Sequence, residues 1–192
     1  MKTLALILTY CLFSFFAYTQ TLYPNGVPSC IARWTFDEDE TLWLDSLDDF
    51  SNNNNLGVTT NIASVSGFRN KPNKAGGFDG TSSMVEVPHK PMLNPTNITL
   101  VAVVKFNSFY SGSCQGNNII YKGYDYNNNL SWSMYVAEND GDCIAINPSI
   151  QKLNFCFPSI PLYTPPFSNF IDTGKWYFLA ITYDGNFVNH YQ

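Results

Sequence analysis

Six aspartates, four cysteines and a few loop aromatics are the residues of this chain whose types and positions could do chemistry. Asp37, Asp39, Asp45, Asp48, Asp140 and Asp142 offer the hard carboxylate oxygens that calcium collects, together with carbonyl groups. None of them falls into an EF-hand loop, because the central Gly and distal Glu are missing at the required offsets. Solvated loop charge is the competing reading of each. Trp43, Tyr110, Tyr124 and Tyr126 lie in or beside loops, where a ring either stacks on a sugar face or caps the end of a sheet. His89 sits between Pro88 and Lys90, and His190 lies near the C-terminus. Neither has a Ser or Cys nucleophile close in sequence, so a nucleophilic triad has no local signature.

The cysteines take their meaning from the N-terminus. Lys2 gives a positive start, residues 4–16 form an apolar run of signal-peptide length, and Ala17 and Thr19 place small residues at −3 and −1 of a cut before Gln20. The run is short for a membrane span, and no other stretch approaches one. Tyr10 is too large for a lipoprotein site at Cys11. Residues 1–19 therefore read as a signal peptide, 20–29 as an extended leader and 30–192 as one secreted or surface-exposed domain. Processing removes Cys11 and leaves Cys30, Cys114, Cys143 and Cys156, an even count that favours two disulfides in an exported chain. Three pairings are open; Cys143–Cys156 with Cys30–Cys114 is the simplest. No short Cys-x-x-Cys unit supports a zinc site.

Composition narrows the partners. The 10 Lys and Arg against 15 Asp and Glu give a net charge of −5, with no basic stripe for a phosphate backbone, which argues against nucleic acid. Hydrophobic residues at 45% suffice for a core, while charged residues at only 13% leave Asn, Ser, Thr and Tyr to carry the polarity. Such a surface suits neutral ligands or divalent cations.

The elements that must position these groups are strands. Residues 175–183 form an uninterrupted aromatic and β-branched run, with Trp176, Phe178, Ala180 and Thr182 on one face and Tyr177, Leu179, Ile181 and Tyr183 on the other. Both faces are bulky, so the run is expected to be an inner strand covered on both sides. Asp184-Gly185 is a hairpin turn, and Phe187, Val188 and Tyr191 begin the returning strand. Further strands are expected at 31–37, with Trp34 and Phe36 toward a core, and at 84–87, 97–106, 119–121, 130–137, 143–146 and 152–157. Trp34 and Trp176 are expected core residues. Residues 45–55 read as a surface loop and 158–166 as a Pro-rich loop. No segment has a helical period, and many short strands between turn signals indicate an antiparallel sandwich or barrel.

Taken in order, several blocks resemble the laminin G-like branch of the concanavalin A-like lectin/glucanase superfamily. They are Ala32-Arg-Trp-Thr-Phe-Asp37, Asp45-Ser46 with the Asn run, Lys74-Ala-Gly-Gly-Phe-Asp-Gly80, Met84-Val-Glu-Val-Pro88, Asn97-Ile-Thr-Leu100, Ile119-Ile-Tyr-Lys-Gly123 and the run from Trp176 to Gly185. The resemblance implies an all-β fold, a jelly-roll sandwich of two antiparallel sheets that binds through rim loops or a concave face. It also implies calcium at the rim, which adds weight to Asp37, Asp39, Asp45, Asp140 and Asp142. Val103 stands where the family often has Trp. The family pattern continues past the final hairpin, so the sequence is expected to be the first part of a longer sandwich. Related glucanases use paired carboxylates flanking the glycosidic bond; here the only dense acidic run is Asp37-Glu38-Asp39-Glu40, without the alternation of such a motif. The expected function is a secreted or surface binding module for carbohydrate or a matrix or cell-surface glycoprotein, assisted by calcium, and not an enzyme. A glycan hydrolase and a structural spacer are the alternatives.

Overall fold

A computed structural model of the protein describes residues 30–37, 45–110, 117–123, 132–137, 151–157, 160–163 and 170–192. The regular structure of the described residues is almost all strand, apart from two single-turn 3-10 helices at Phe68–Asn70 and Pro91–Leu93: β1 Ser46–Leu47, β2 Gly57–Thr60, β3 Ala63–Val65, β4 Ala75–Gly77, β5 Met84–Glu86, β6 Ile98–Lys105, β7 Asn117–Lys122, β8 Trp132–Ala137, β9 Lys152–Phe157, β10 Ile160–Tyr163, β11 Trp176–Tyr183 and β12 Val188–Tyr191. All pairings are antiparallel. They build sheets in the orders β12-β11-β6, β10-β9-β8-β7, β1-β2-β5 and β3-β4.

The first two sheets close on one core. Ile98 and Leu100 of β6 and Leu179, Ile181 and Tyr183 of β11 meet Met134 and Val136 of β8 and Leu153, Phe155 and Phe157 of β9. Alternation dictates this, since each contributing strand turns every second side chain inward. The register Tyr183↔Ile98, Ile181↔Leu100 and Leu179↔Ala102 lines up the apolar rows of β11 and β6 face to face with the opposing sheet. An all-β sandwich follows. A smaller core of Leu47 and Ile62, with Trp34, Phe36 and Val85 packed against it, lies under the short sheets. There Gly76 carries no side chain for a plain steric reason: a Cβ would fall 2.6 Å from the Phe36 ring.

Several sequence expectations hold. β6, β9, β11 and the β11–β12 hairpin lie where alternation places them, and β11 is the inner strand of its sheet. The turn works as its residues suggest: the Asp184 carboxylate accepts from the backbone N–H of Asn186 and Phe187, and Gly185 takes a φ of 97°.

Other expectations are corrected. β11 is only partly covered on its outer face: Phe178 is 57% exposed, whereas Ala180 on the same face is buried. Trp176 sits half-buried on that outer face and not in the core. Residues 31–37 form no strand; their one ladder contact is a bridge from Trp34 to Asp49. Residues 45–55 are not a free surface loop, since they include β1 and the fully buried Asn55. β2 and β3 occupy a stretch with no expected strand, and β10 lies within the Pro-rich segment. The expected strand at 143–146 lies outside the described residues.

The Asn-rich composition has a backbone reason. Of the six non-glycine residues at positive φ among the described residues, five are Asn: Asn52, Asn54, Asn61, Asn70 and Asn73. Asn tolerates the left-handed region better than other non-glycine residues, so it turns the chain where short strands must reverse.

Candidate ligand-binding face

The outer face of the β12-β11-β6 sheet carries an apolar surface that the described residues leave open. Phe178 of β11 pairs with Val103 of β6, and Ala180 pairs with Val101 on one side and Tyr191 of β12 on the other. Val101, Val103, Phe178 and Tyr191 are all exposed. The same alternation that buries Leu100, Leu179 and Ile181 forces these residues outward, so the face is a direct product of strand register.

One end of the face is built into an aromatic step. Trp176 stands beside Lys105 in the register, with the Lys105 ammonium 5.5 Å from the indole. The Phe68 ring meets Trp176 edge-on at 6.5 Å and 84°. A tight loop presents Phe68: Gly67 N–H donates to Lys71 O at 2.8 Å, and Arg69 adopts a left-handed φ of 58°. That turn brings the Arg69 guanidinium to 5.3 Å from the Phe68 ring. Two rings in T geometry, each with a cation over it, form a semi-rigid platform. Such a step offers apolar ring faces with polar donors at the margin, the chemistry suited to sugar rings or to an apolar protein side chain.

The residues singled out in the sequence are dispersed. Tyr110 is exposed, and its N–H donates to Asn117 Oδ1 at 2.8 Å, which ties the end of the β6–β7 connection. Trp43, Tyr124 and Tyr126 lie outside the described residues, as do Glu38, Asp39, Glu40, Asp140 and Asp142. Asp37, Asp45 and Asp48 are exposed. The Asp37 carbonyl accepts from the Lys74 ammonium, and Asp45 O accepts from Thr59 N–H at 3.4 Å. Among the described residues no three His, Cys, Asp or Glu side chains are grouped to hold a metal ion. Cys30 and Cys156 are half-buried thiols and are not bonded to each other; their expected partners, Cys114 and Cys143, lie outside the described residues. Burial pushes the Cys156 thiol up. His89 is exposed, while burial pulls His190 down to about 4, so His190 is neutral through the physiological range.

Comparison with protein-family models, curated proteins and solved structures finds no match.

Sequence reasoning missed the acid that organises the N-terminal segment. Asp49 accepts from Arg33 N–H at 2.9 Å, Ser51 N–H at 2.9 Å, Ser51 Oγ at 2.8 Å and Asn55 N–H at 2.8 Å. Asn53 and Asn55 then donate their amides to Ile31 O at 3.0 and 2.7 Å, and Asn53 also reaches Cys30 O. Lys90 caps the loop through Asn53 O at 3.0 Å and Asn54 O at 2.5 Å. Partial burial pushes the Asp49 carboxyl up, but the hydrogen bonds from Ser51, Arg33 and Asn55 together outweigh it and hold the group below 3.8. The signal was present in the Asp-x-Ser spacing of an Asx turn. It stood in an Asn run that looked like unstructured loop.

The second overlooked acid is Asp79. Its carboxylate accepts from the N–H groups of Thr81, Ser82 and Ser83 and from Ser82 Oγ. The Ser82 contacts are the largest cause holding this carboxyl well below the usual carboxylate range. Asp49 and Asp79 are structural acids, each accepting four hydrogen bonds.

Proposed function

We propose that this protein is a secreted or surface-displayed binding module that recognises carbohydrate, alone or as part of a glycoprotein, on the outer face of the β12-β11-β6 sheet. The observation that carries the reading is the step of Trp176 and Phe68 continuing into exposed Phe178, on a sheet whose other face is fully committed to the core. Rigid rings fixed on a strand and a tight turn lose little conformational entropy on binding, which favours flat, weakly polar ligands. The resemblance to laminin G-like and concanavalin A-like sandwiches agrees with this reading, with the jelly-roll connectivity as part of the same proposal.

Binding is measured on a panel of neutral and acidic polysaccharides and of glycoproteins before and after deglycosylation, with calcium and with chelator. Trp176→Ala and Phe178→Ala are each expected to weaken binding about 10-fold or more, since an anchoring ring at an interface contributes roughly 1–3 kcal/mol. Phe178→Ala leaves the melting temperature nearly unchanged, because its ring is mostly solvated. Retention of full affinity in both variants would refute the face as the site. Binding that survives removal of all glycan would turn the reading toward a protein partner.

Export implies an oxidised domain, so Cys30–Cys114 and Cys143–Cys156 are proposed to be bridged in the secreted form. A non-reducing peptide map of secreted material should show two cross-linked peptide pairs. Four alkylatable thiols would refute it. Each bridge would contribute about 2–4 kcal/mol.

A further inference from the structure

We propose that Asn97 is a site of N-linked glycosylation. Asn97-Ile98-Thr99 is an Asn-x-Thr acceptor sequence without Pro at its centre. The fold places it as a modification site requires. The chain bends at residues 96–97 and enters β6 at Ile98. Ile98 is buried in the sandwich core, so Asn97 and Thr99, its neighbours at strand spacing, both point outward and are both exposed. A core-anchored residue between two exposed ones keeps the acceptor side chain at the surface, where it lies beside the β11–β12 turn.

The amide has room to carry the sugar. With its amide oriented to donate, Asn97 Nδ2 reaches Thr96 O at 3.0 Å and Asp184 O at 3.1 Å. A glycosylated amide keeps one N–H, so one of these two exposed bonds is given up and one can remain. The reaction joins Nδ2 to the anomeric carbon of a polyprenyl-diphosphate-linked oligosaccharide. The bond from that carbon to the diphosphate oxygen breaks, its electron pair leaves on the diphosphate, and one Nδ2 proton passes to the transferase. Thr99 supplies the hydroxyl that marks the acceptor. Asn97 stands eight residues before Lys105 along the strand, about 27 Å at 3.3–3.4 Å per residue. The glycan therefore stands at the opposite end of the sheet from the Trp176 and Phe68 step, and it leaves that step open.

This inference rests on the secretion reading, and the test separates the two. The full chain is expressed in eukaryotic secretory cells, and medium and lysate are treated with peptide-N-glycosidase in heavy-oxygen water. Secreted protein should shift to lower mass, and peptide mass spectrometry should find heavy Asp at position 97. Asn97→Gln and Thr99→Ala should each remove this signal while Thr99→Ser retains it. The Thr99 pair keeps the test decisive if Asn97→Gln folds poorly. Asn129-Leu130-Ser131 is a second such sequence, outside the described residues, and the residue-specific readout distinguishes the two. Secreted protein with unmodified Asn97 overturns the inference while secretion stands. Protein retained in the cell with its leader intact overturns the secretion reading, and the inference with it.

Discussion

Replacing Phe155 by Ala is expected to destabilise the protein by about 3–5 kcal/mol, a large part of the roughly 5–15 kcal/mol that holds a domain of this size together. Phe155 is 0% exposed in the middle of β9 and faces the opposing sheet. Its ring stacks with Phe157 at 6.0 Å and meets Tyr183 of β11 at 6.4 Å, so it links the two sheets directly. Truncation loses the transfer energy of the ring and opens a cavity whose walls belong to two hydrogen-bonded sheets. Neither sheet can close the gap without breaking its register. The melting temperature should fall by about 10 °C. Phe178→Ala, the same change on the outer face, should move it by no more than about 2 °C. Equal losses from the two substitutions would mean that the outer face is covered in solution, and would remove the basis for a free binding surface.

Asp49→Ala is expected to cost about 2 kcal/mol, through a different mechanism. The carboxylate serves four donors, and deletion leaves the N–H groups of Arg33, Ser51 and Asn55 and the Ser51 hydroxyl to water or to nothing. The site is only partly buried, which keeps the loss below what four fully buried bonds would give. The pH dependence has a definite sign. The folded-state carboxyl lies below its ordinary 3.8, so its contribution is fully present above 3.8 and is lost as pH falls through the lower, folded value. Denaturant melts of wild type and Asp49→Ala should differ most at neutral pH and converge as pH drops below about 4. A constant gap down to strong acid would show that the hydrogen bonds to the ionised form are not what Asp49 contributes. Loss of the loop should also free Trp34, whose Nε1–H donates to Asn55 O at 2.7 Å, and red-shift its emission.

The sequence by itself determined the strands with a strict period of two and long enough to declare it. In β6, Ile98, Leu100, Ala102 and Val104 share a face, and in β11 Tyr177, Leu179, Ile181 and Tyr183 do. Burying one row per strand is the only economical way to remove them from water, so class and core were readable locally. It also determined the final hairpin, because Asp184 and Gly185 carry the turn in their own chemistry.

Tertiary structure decided the rest. Residues 31–37 have strand composition but gain a single bridge, since their polar groups are satisfied by Asp49, Asn53 and Asn55 from a segment some 20 residues away. Those partners sit in an Asn run whose local signal is loop, and a side-chain amide bonded to a distant carbonyl leaves no periodicity to read. The exposed apolar face was hidden for the complementary reason. Trp176 and Phe178 look like core by composition, and only the absence of a covering sheet among the described residues makes them surface. Phe68 joins them through a turn that no alternation foretells. Whether an apolar side chain is core or exposed surface depends on what lies across from it, and that is a property of packing between segments distant in the chain.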